Sequence, residues 1–539
     1  MHRALPVVAG LCLLFSTSES RGHDAIPVTH EFGPFQKERL KEELRISVVD
    51  ADTREPLNAR LSFEVDGDYW APEGVNEHGI RFTSIHKSKQ QRFTVIYALI
   101  TGPLRIPYPK GAESIKITAS RGFEYISDSI EIDLEERSAS AAIPIDRWSN
   151  LRDSGWAAIE EHLHYDRLNS ADDRHWLAML DADGLDAGHF MILKGGMVPG
   201  IWSRQFAFGE AGRSNDERQW LIPSQEYRAS AKGHINLLGT SKIIEPYSTG
   251  GMGWPKVVEN YPPLHDVLKE AQNQGGYAGV AHGGSLGKQP TAIADAVLGR
   301  VDFWEISNGF IYELDTWYRL MNCGYFLPPM AGTDLPNWPY RDAWQPFLGS
   351  IRTYVHKGGS TEFDAFKQAI NRGRVFTSSG PLIDLEINGQ PIGESINLAE
   401  PGFVRVTGNL RSPRPLREIE LIRNGQPVDV SVLKQNSSGI HTWSIDTNLK
   451  IEESSWIALS GLGSRINVQN IDATAHTNAI RVIVNDEPIR SPETAREFIE
   501  ALQGRKNFYR EKGAYKTEHQ RLQALEIFDR AIRELEKRL

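Results

Sequence analysis

Alternation of apolar and polar positions dominates residues 45–145. The runs RISVV at 45–49, RLSFEV at 60–65, FTVIY at 93–97 and SIKIT at 114–118 each send every second side chain to one face, with turn-forming residues between them. A period of two predicts an antiparallel β-sandwich, assigned to residues 21–147. From 148 to 381 the texture changes: apolar runs at 190–193, 277–281 and 301–306 read as strands, and those at 264–273 and 362–372 as helices. Strand and helix in alternation over this length predict an α/β barrel. Alternation returns over 382–490, in IDLEI at 383–387, EIELI at 418–422 and AIRVIV at 479–484, with Asn388-Gly389 and Asn424-Gly425 as hairpin turns. This is read as a second β-sandwich. Within 491–539, Leu522, Leu525, Phe528, Ile532, Leu535 and Leu539 recur at three- and four-residue steps, one stripe of a helical tail that packs on the body or pairs with a second copy. The expected fold class is multidomain, α/β plus β.

The first residues change the compartment. A basic start at Arg3, an apolar run of 12 residues at 4–15 and a small polar stretch at 16–20 predict a secretory signal peptide over residues 1–20. That run is too short to span a bilayer, and no later run reaches the length that does. Leu11 precedes Cys12, where a lipoprotein signal would want a small residue. With 2 cysteines in the chain, the mature part keeps only Cys323 and has no internal disulfide. Stability then rests on packed cores or bound metal, and the expected location is a periplasm or the outside of the cell. Net charge narrows the partners. Lys+Arg 60 against Asp+Glu 70, formally -10, supply no basic footprint for nucleic acid or an anionic membrane surface. A small-molecule substrate is the partner expected, and the oligomeric state is left open.

Candidate chemistry concentrates in the barrel segment. His162 and His164 flank Leu163, and alternate residues of a strand share a face, so both imidazoles can reach one ion. Glu226, His234, His282 and Asp334 each stand where an apolar run meets a glycine-containing loop, the place where barrel enzymes carry their working groups. Glu305 and Asn308, in FWEISNG at 303–309, end another strand and are candidates for hydrogen bonds to substrate. Arg352 and Arg374 read equally as substrate contacts or structural ion pairs. His265 is assigned to a helix surface or an interhelical contact, His189 to the start of a strand away from the site, and His356 and His476 to support of the site or contact between domains.

The order HxH at 162–164, Glu226 with His234 eight later, AHGG at 281–284, GTD at 332–334, RTYV at 352–355 and RGRVFTSSGPL at 372–382 resembles the PHP superfamily of metal-dependent hydrolases. Within it the order is most similar to the exported carbaryl-hydrolase-like (CehA/McbA-type) metallohydrolases. The resemblance implies a distorted (β/α)7-type barrel with two divalent transition-metal ions, Zn, Mn or Fe. Carried over, His162, His164, Glu226 and Asp334 hold one ion, and Glu226, His234 and His282 the other, the glutamate bridging. Members with a third ion have further histidines where this chain has Ser170, approximately Lys194, and Pro336, so a third ion is not expected. Lys194 could stand there as a compact positive charge that orients a substrate oxygen. The implied reaction is attack of a metal-activated water on an ester, carbamate or amide, with a PHP-type phosphoesterase as the alternative. The rival from another class is a secreted binding protein whose metal site is structural or decayed.

Overall fold

Two facing sheets account for the period of two near the start of the chain. The computed structural model describes residues 28–36, 42–86, 91–134, 140–195, 198–229, 233–246, 260–283, 291–309, 312–336, 347–463 and 473–539. The signal peptide expected over 1–20 lies outside them. The first sheet runs in the order Val28–Phe32, Gly79–His86, Gln91–Ala98, Ala59–Val65, Ser114–Ser120, Asp128–Asp133, with Asp68–Trp70 paired onto Ala59–Val65. The second runs Leu104–Pro107, Glu43–Asp50, Ser140–Arg147, Tyr125–Ile126. Leu44, Ile46 and Val48 meet Leu61, Phe63, Ile115 and Ile117 in one core, which is why alternate positions are apolar. The sandwich is not wholly antiparallel, because Ser140–Arg147 lies parallel to Glu43–Asp50. The chain that separates these two strands in sequence is long enough to return to the same end of the sheet.

The next sheet positions the candidate chemistry. Trp156–Leu163, buried along nearly its whole length, pairs with Ala187–Gly195 on one side and Arg352–His356 on the other. The path continues through Trp220–Ala229, Gly233–Leu238, Tyr277–Val280, Phe303–Ser307 and Pro329–Ala331, and Leu163 bridges Leu335, so the sheet curls back onto its first strand. Helices Asp173–Ala182, Leu264–Asn273, Ala292–Val297, Asp315–Asn322 and Phe363–Asn371 lie between successive strands. The distorted (β/α)7-type barrel that the resemblance implies is met only in part, as a curled sheet with helices between its strands. Gly233–Leu238 runs antiparallel to both of its neighbours, and only residues 230–232 separate it from Trp220–Ala229. A connection that short makes a hairpin, whereas a parallel return needs about a dozen residues or more.

Beyond the barrel, the second sandwich is not a separate pair of sheets. Its five-stranded layer runs Gln390–Pro391, Leu382–Ile387, Gly402–Ser412, Ile440–Ile451, Leu433–Ser437. Its other layer continues the barrel sheet, because Thr474–Thr477 pairs antiparallel with Val375–Ser378. Both expected hairpin turns are present, with φ of 50° at Asn388 and 75° at Gly389, and 49° at Asn424 and 81° at Gly425, values that favour Asn-Gly.

The tail is two helices, Pro492–Lys512 and Glu518–Glu536, started by the side chains of Ser491 and Thr517, which accept from the backbone N–H of Thr494 and Gln520. They pack with Ala292–Val297 and Leu264–Asn273 through Phe498, Leu502, Leu525, Phe528, Ile532 and Leu535. The expected stripe loses both ends: Leu522 and Leu539 are exposed, and Ile527 and Ala531 are buried instead. Packing against two elements at once widens the buried face beyond one ridge. Among the described residues, the structure is built from several sheets, mostly β, with these helices around them, and no helix is long and apolar enough to cross a membrane.

Candidate metal centre

Strand ends bring the six expected ligands to one place. His162 belongs to Trp156–Leu163 and His164 follows it; Glu226 belongs to Trp220–Ala229 and His234 to Gly233–Leu238. His282 and Asp334 lie in the turns after Tyr277–Val280 and Pro329–Ala331, both at φ 59°, a left-handed conformation that is strained for residues with a side chain. The turns are pinned across the barrel: the backbone N–H of Asp334 donates to His162 O (2.8 Å), that of His164 to Leu335 O (2.6 Å) and that of Ala281 to His234 O (3.2 Å).

Distances show how closely the donor atoms converge. His164 Nε2 lies 3.3 Å from Glu226 Oε2 and 3.2 Å from Asp334 Oδ1. His162 Nε2 lies 3.6 Å from Asp334 Oδ1 and 4.0 Å from Glu226 Oε2. His234 Nδ1 is 2.9 Å from Glu226 Oε1, and His282 Nε2 is 3.5 Å from both Glu226 Oε1 and Asp334 Oδ2. Burial of His162, His164, Glu226 and Asp334 is complete or nearly so. His162, His164 and Glu226 form one group able to hold a metal ion; Glu226, His234 and His282 form another; His162, His282 and Glu305 form a third.

The rear nitrogens of the HxH pair decide whether this donor set suits a cation. His162 Nδ1 is 2.9 Å from Glu305 Oε1, and His164 Nδ1 is 3.2 Å from Met191 O. With a proton on each Nδ1 facing these acceptors, beside the Asn236 Nδ2 that also lies 3.2 Å from His162 Nδ1, both Nε2 lone pairs face inward, 3.1 Å apart. Two lone pairs at that distance, beside two carboxylates, require a positive charge between them. Acceptors behind ligating imidazoles are the usual support of metal sites, so the donor chemistry fits a divalent transition metal. With no ion between them, the acids around the rings favour a proton there instead. Burial would lower His162, but Glu305 and then Asp334 outweigh it and raise it well above the ordinary histidine value. Burial is likewise overcome at His164 by its hydrogen bonds to Asp334 and Glu226, which raise it. Burial would raise Glu226, yet His234, His164 and His282 hold it well below the ordinary carboxylate value. His234 goes the other way, lowered to about 3 by burial and then by the Arg228 cation.

The remaining candidate residues fall elsewhere. Glu305 is fully buried behind His162, and its second oxygen accepts from the backbone N–H of His282, so it positions two ligands rather than meeting substrate. Asn308 is also fully buried. Lys194 lies in Ala187–Gly195, paired in register with Tyr227, and its side chain is outside the described part. His189 is inside that same strand, its ring held between Ser224 Oγ (3.0 Å) and Tyr277 OH (2.6 Å). His265 is buried between helices, 3.3 Å from Asp295 Oδ1. His356 meets Trp156, while His476 sits where barrel and sandwich share a sheet. Arg352 holds the carbonyls of Gly349, Gly184 and Asp183, and Arg374 pairs with Glu394 at 2.9 Å, so both are structural.

Four contributors are not evident from the sequence. Glu160, pushed up by burial to about 7, accepts the backbone N–H groups of Thr333 (2.8 Å), Gly349 (2.9 Å) and His162 (3.1 Å), tying the Asp334 turn to the first strand. Its signal was its place two residues before His162, on the same strand face. Trp202 stacks on His164 with ring centroids 5.7 Å apart. Asn236 lies 3.2 Å from His162 Nδ1. Arg228, two residues after Glu226, donates from Nε to His234 Nε2 at 3.2 Å.

No family model matches the chain, and no curated protein matches it significantly. Among solved structures it is similar to the lesion-specific endonuclease PfuEndoQ from Pyrococcus furiosus, at 13% identity and a TM-score of 0.25, over 40% of this chain and 56% of that one. A likeness that low bears on neither fold nor chemistry, and it spans little more than half of that protein.

Proposed function

We propose that this chain is an exported metal-dependent hydrolase of the PHP type that cleaves an ester, carbamate or amide bond. The observation that carries the reading is the inward convergence of His162 and His164 Nε2 on Glu226 and Asp334, with an acceptor behind each ring. The ordered motifs that resemble the PHP superfamily support it independently of any superposition. His162, His164, Glu226 and Asp334 would hold an ion, and His282 lies close enough to share in it. A divalent ion bound there supplies a water of lowered pKa and a Lewis acid for the substrate oxygen. The chain's own groups do the rest. Glu305 and the Met191 carbonyl hold the two rings in the tautomer that presents Nε2. Trp202 covers one face of His164 and limits water there, and Glu160 keeps the Asp334 turn against the first strand.

Elemental analysis of protein purified without chelator tests this. We expect a transition metal in the native chain and its loss in Glu226→Ala and His162→Ala, with chelator-sensitive turnover of generic aryl esters. Turnover of aryl phosphoesters alone would move the assignment to phosphoester hydrolysis. Folded, metal-loaded protein without turnover would favour the binding-protein reading, and no metal after reconstitution would break the hydrolase reading at its root.

A further inference from the structure

Of the six ligand side chains, those on one edge of the centre meet solvent. His162, His164, Glu226 and Asp334 are 0 or 1% exposed, whereas the side chain of His234 keeps 21% and that of His282 14%. A substrate that reaches an ion held there therefore approaches over His234 and His282.

Arg228 stands on that edge. Glu226 and Arg228 are two residues apart on the strand Trp220–Ala229 and share a face, and Arg228 is paired in register with His234 across the hairpin. Its Nε donates to His234 Nε2 at 3.2 Å. The residue is 7% exposed, and its Nη1 is buried without a hydrogen-bond partner. Among the described residues no carboxylate forms an ion pair with it. A guanidinium cannot shed its charge, and a buried cation without a paired anion is costly. A divalent ion nearby adds to that cost. The partner that best fits the open Nη1 donor is an anionic oxygen, because a charge-assisted hydrogen bond answers both the charge and the N–H.

We infer that Arg228 is a substrate-binding residue that receives a carboxylate group of the substrate, so that the ester or amide cleaved at this centre carries a negative charge beside the scissile bond. The inference deepens the hydrolase reading above and rests on it. It also locates the selection for anions: a chain of net charge -10 does not attract them as a whole, so a local cation must do so.

Two aryl esters with the same leaving group and acyl length test it on the full, metal-loaded chain: p-nitrophenyl valerate, which is neutral, and mono-p-nitrophenyl glutarate, which ends in a carboxylate. The native chain should prefer the glutarate ester in kcat/KM by about 10-fold to 100-fold, the range of one charge-assisted hydrogen bond. Arg228→Gln should bring that ratio close to one, mainly through KM, and Arg228→Lys should restore part of it. The native preference is read without any variant, so a failure of Arg228→Gln to fold leaves the test intact. No native preference would overturn the inference. An equal loss on both esters in Arg228→Gln would also overturn it, leaving Arg228 only the orientation of His234. Calorimetric binding of glutarate separates this from the hydrolase reading. If neither ester is cleaved yet glutarate binds the native chain about 10-fold more tightly than Arg228→Gln, the hydrolase reading fails and the anion site stands. Equal binding without turnover would overturn both.

Discussion

Histidines 162, 234 and 476 each have a polar partner behind the ring: the Glu305 carboxylate, the Arg228 guanidinium, and the Thr477 carbonyl with the Tyr318 hydroxyl. His476 Nδ1 lies 2.7 Å from Thr477 O and its Nε2 lies 2.6 Å from Tyr318 OH, so the ring is held neutral with one proton and one lone pair used. Burial lowers it from 6.5 to about 4. Because the folded value lies below the unfolded one, the stability it contributes is complete above pH 6.5 and is lost as pH falls toward 4. His476→Gln should therefore flatten the decline of stability between those limits, by at most about 1.4 kcal/mol per pH unit. Urea unfolding at pH 7 and pH 5 measures this, and equal slopes for the two proteins would refute it. The HxH pair was legible in the sequence because a strand's period places both rings together. Arg228 was not, since its partner lies across a hairpin whose register only folding sets.

Strand ends and tight turns carry the site, so small residues there have a mechanical role. Gly332 begins the GTD turn, and a Cβ on it would lie 2.6 Å from His162 Cβ and 2.8 Å from Glu160 Oε1. Gly332→Ala should force the turn away from the first strand, destabilising the protein by about 1 to 3 kcal/mol. It should also weaken metal retention by separating Asp334 from the HxH pair. Chelator competition and urea midpoints read the two effects, and native-like retention would show that the turn has slack. At this scale the sequence was informative about which segments are strands and helices: the expected helix at 264–273 forms as Leu264–Asn273. Direction was not legible, because a period of two is the same for parallel and antiparallel neighbours.

Across the whole molecule, the barrel and the last sandwich share one sheet. Val375–Ser378 is covered by Thr474–Thr477, and His476 and Trp456 bond to Tyr318 and Asn322 of the barrel helix Asp315–Asn322. Cutting the chain after residue 381 should therefore leave an open strand edge and an uncovered apolar face. Such a truncated chain is expected to aggregate or to lose cooperative melting, checked by light scattering and circular dichroism. A soluble, cooperatively folding fragment would mean that the shared sheet is dispensable.

Periodicity, turn residues and the order of metal-liganding side chains are local properties, and the sequence alone determined them: two β-rich regions around an α/β core, the Asn-Gly hairpins, and six candidate ligands at strand ends. Tertiary structure decided the rest. Short-range pattern carries no information about which strand lies beside which, so the antiparallel hairpin within the barrel and the sheet shared by barrel and sandwich emerged only from pairing. The surroundings of each imidazole were decided at the same level, because only packing brings polar groups behind a ring: Glu305 behind His162, the Met191 carbonyl behind His164, and Arg228 behind His234.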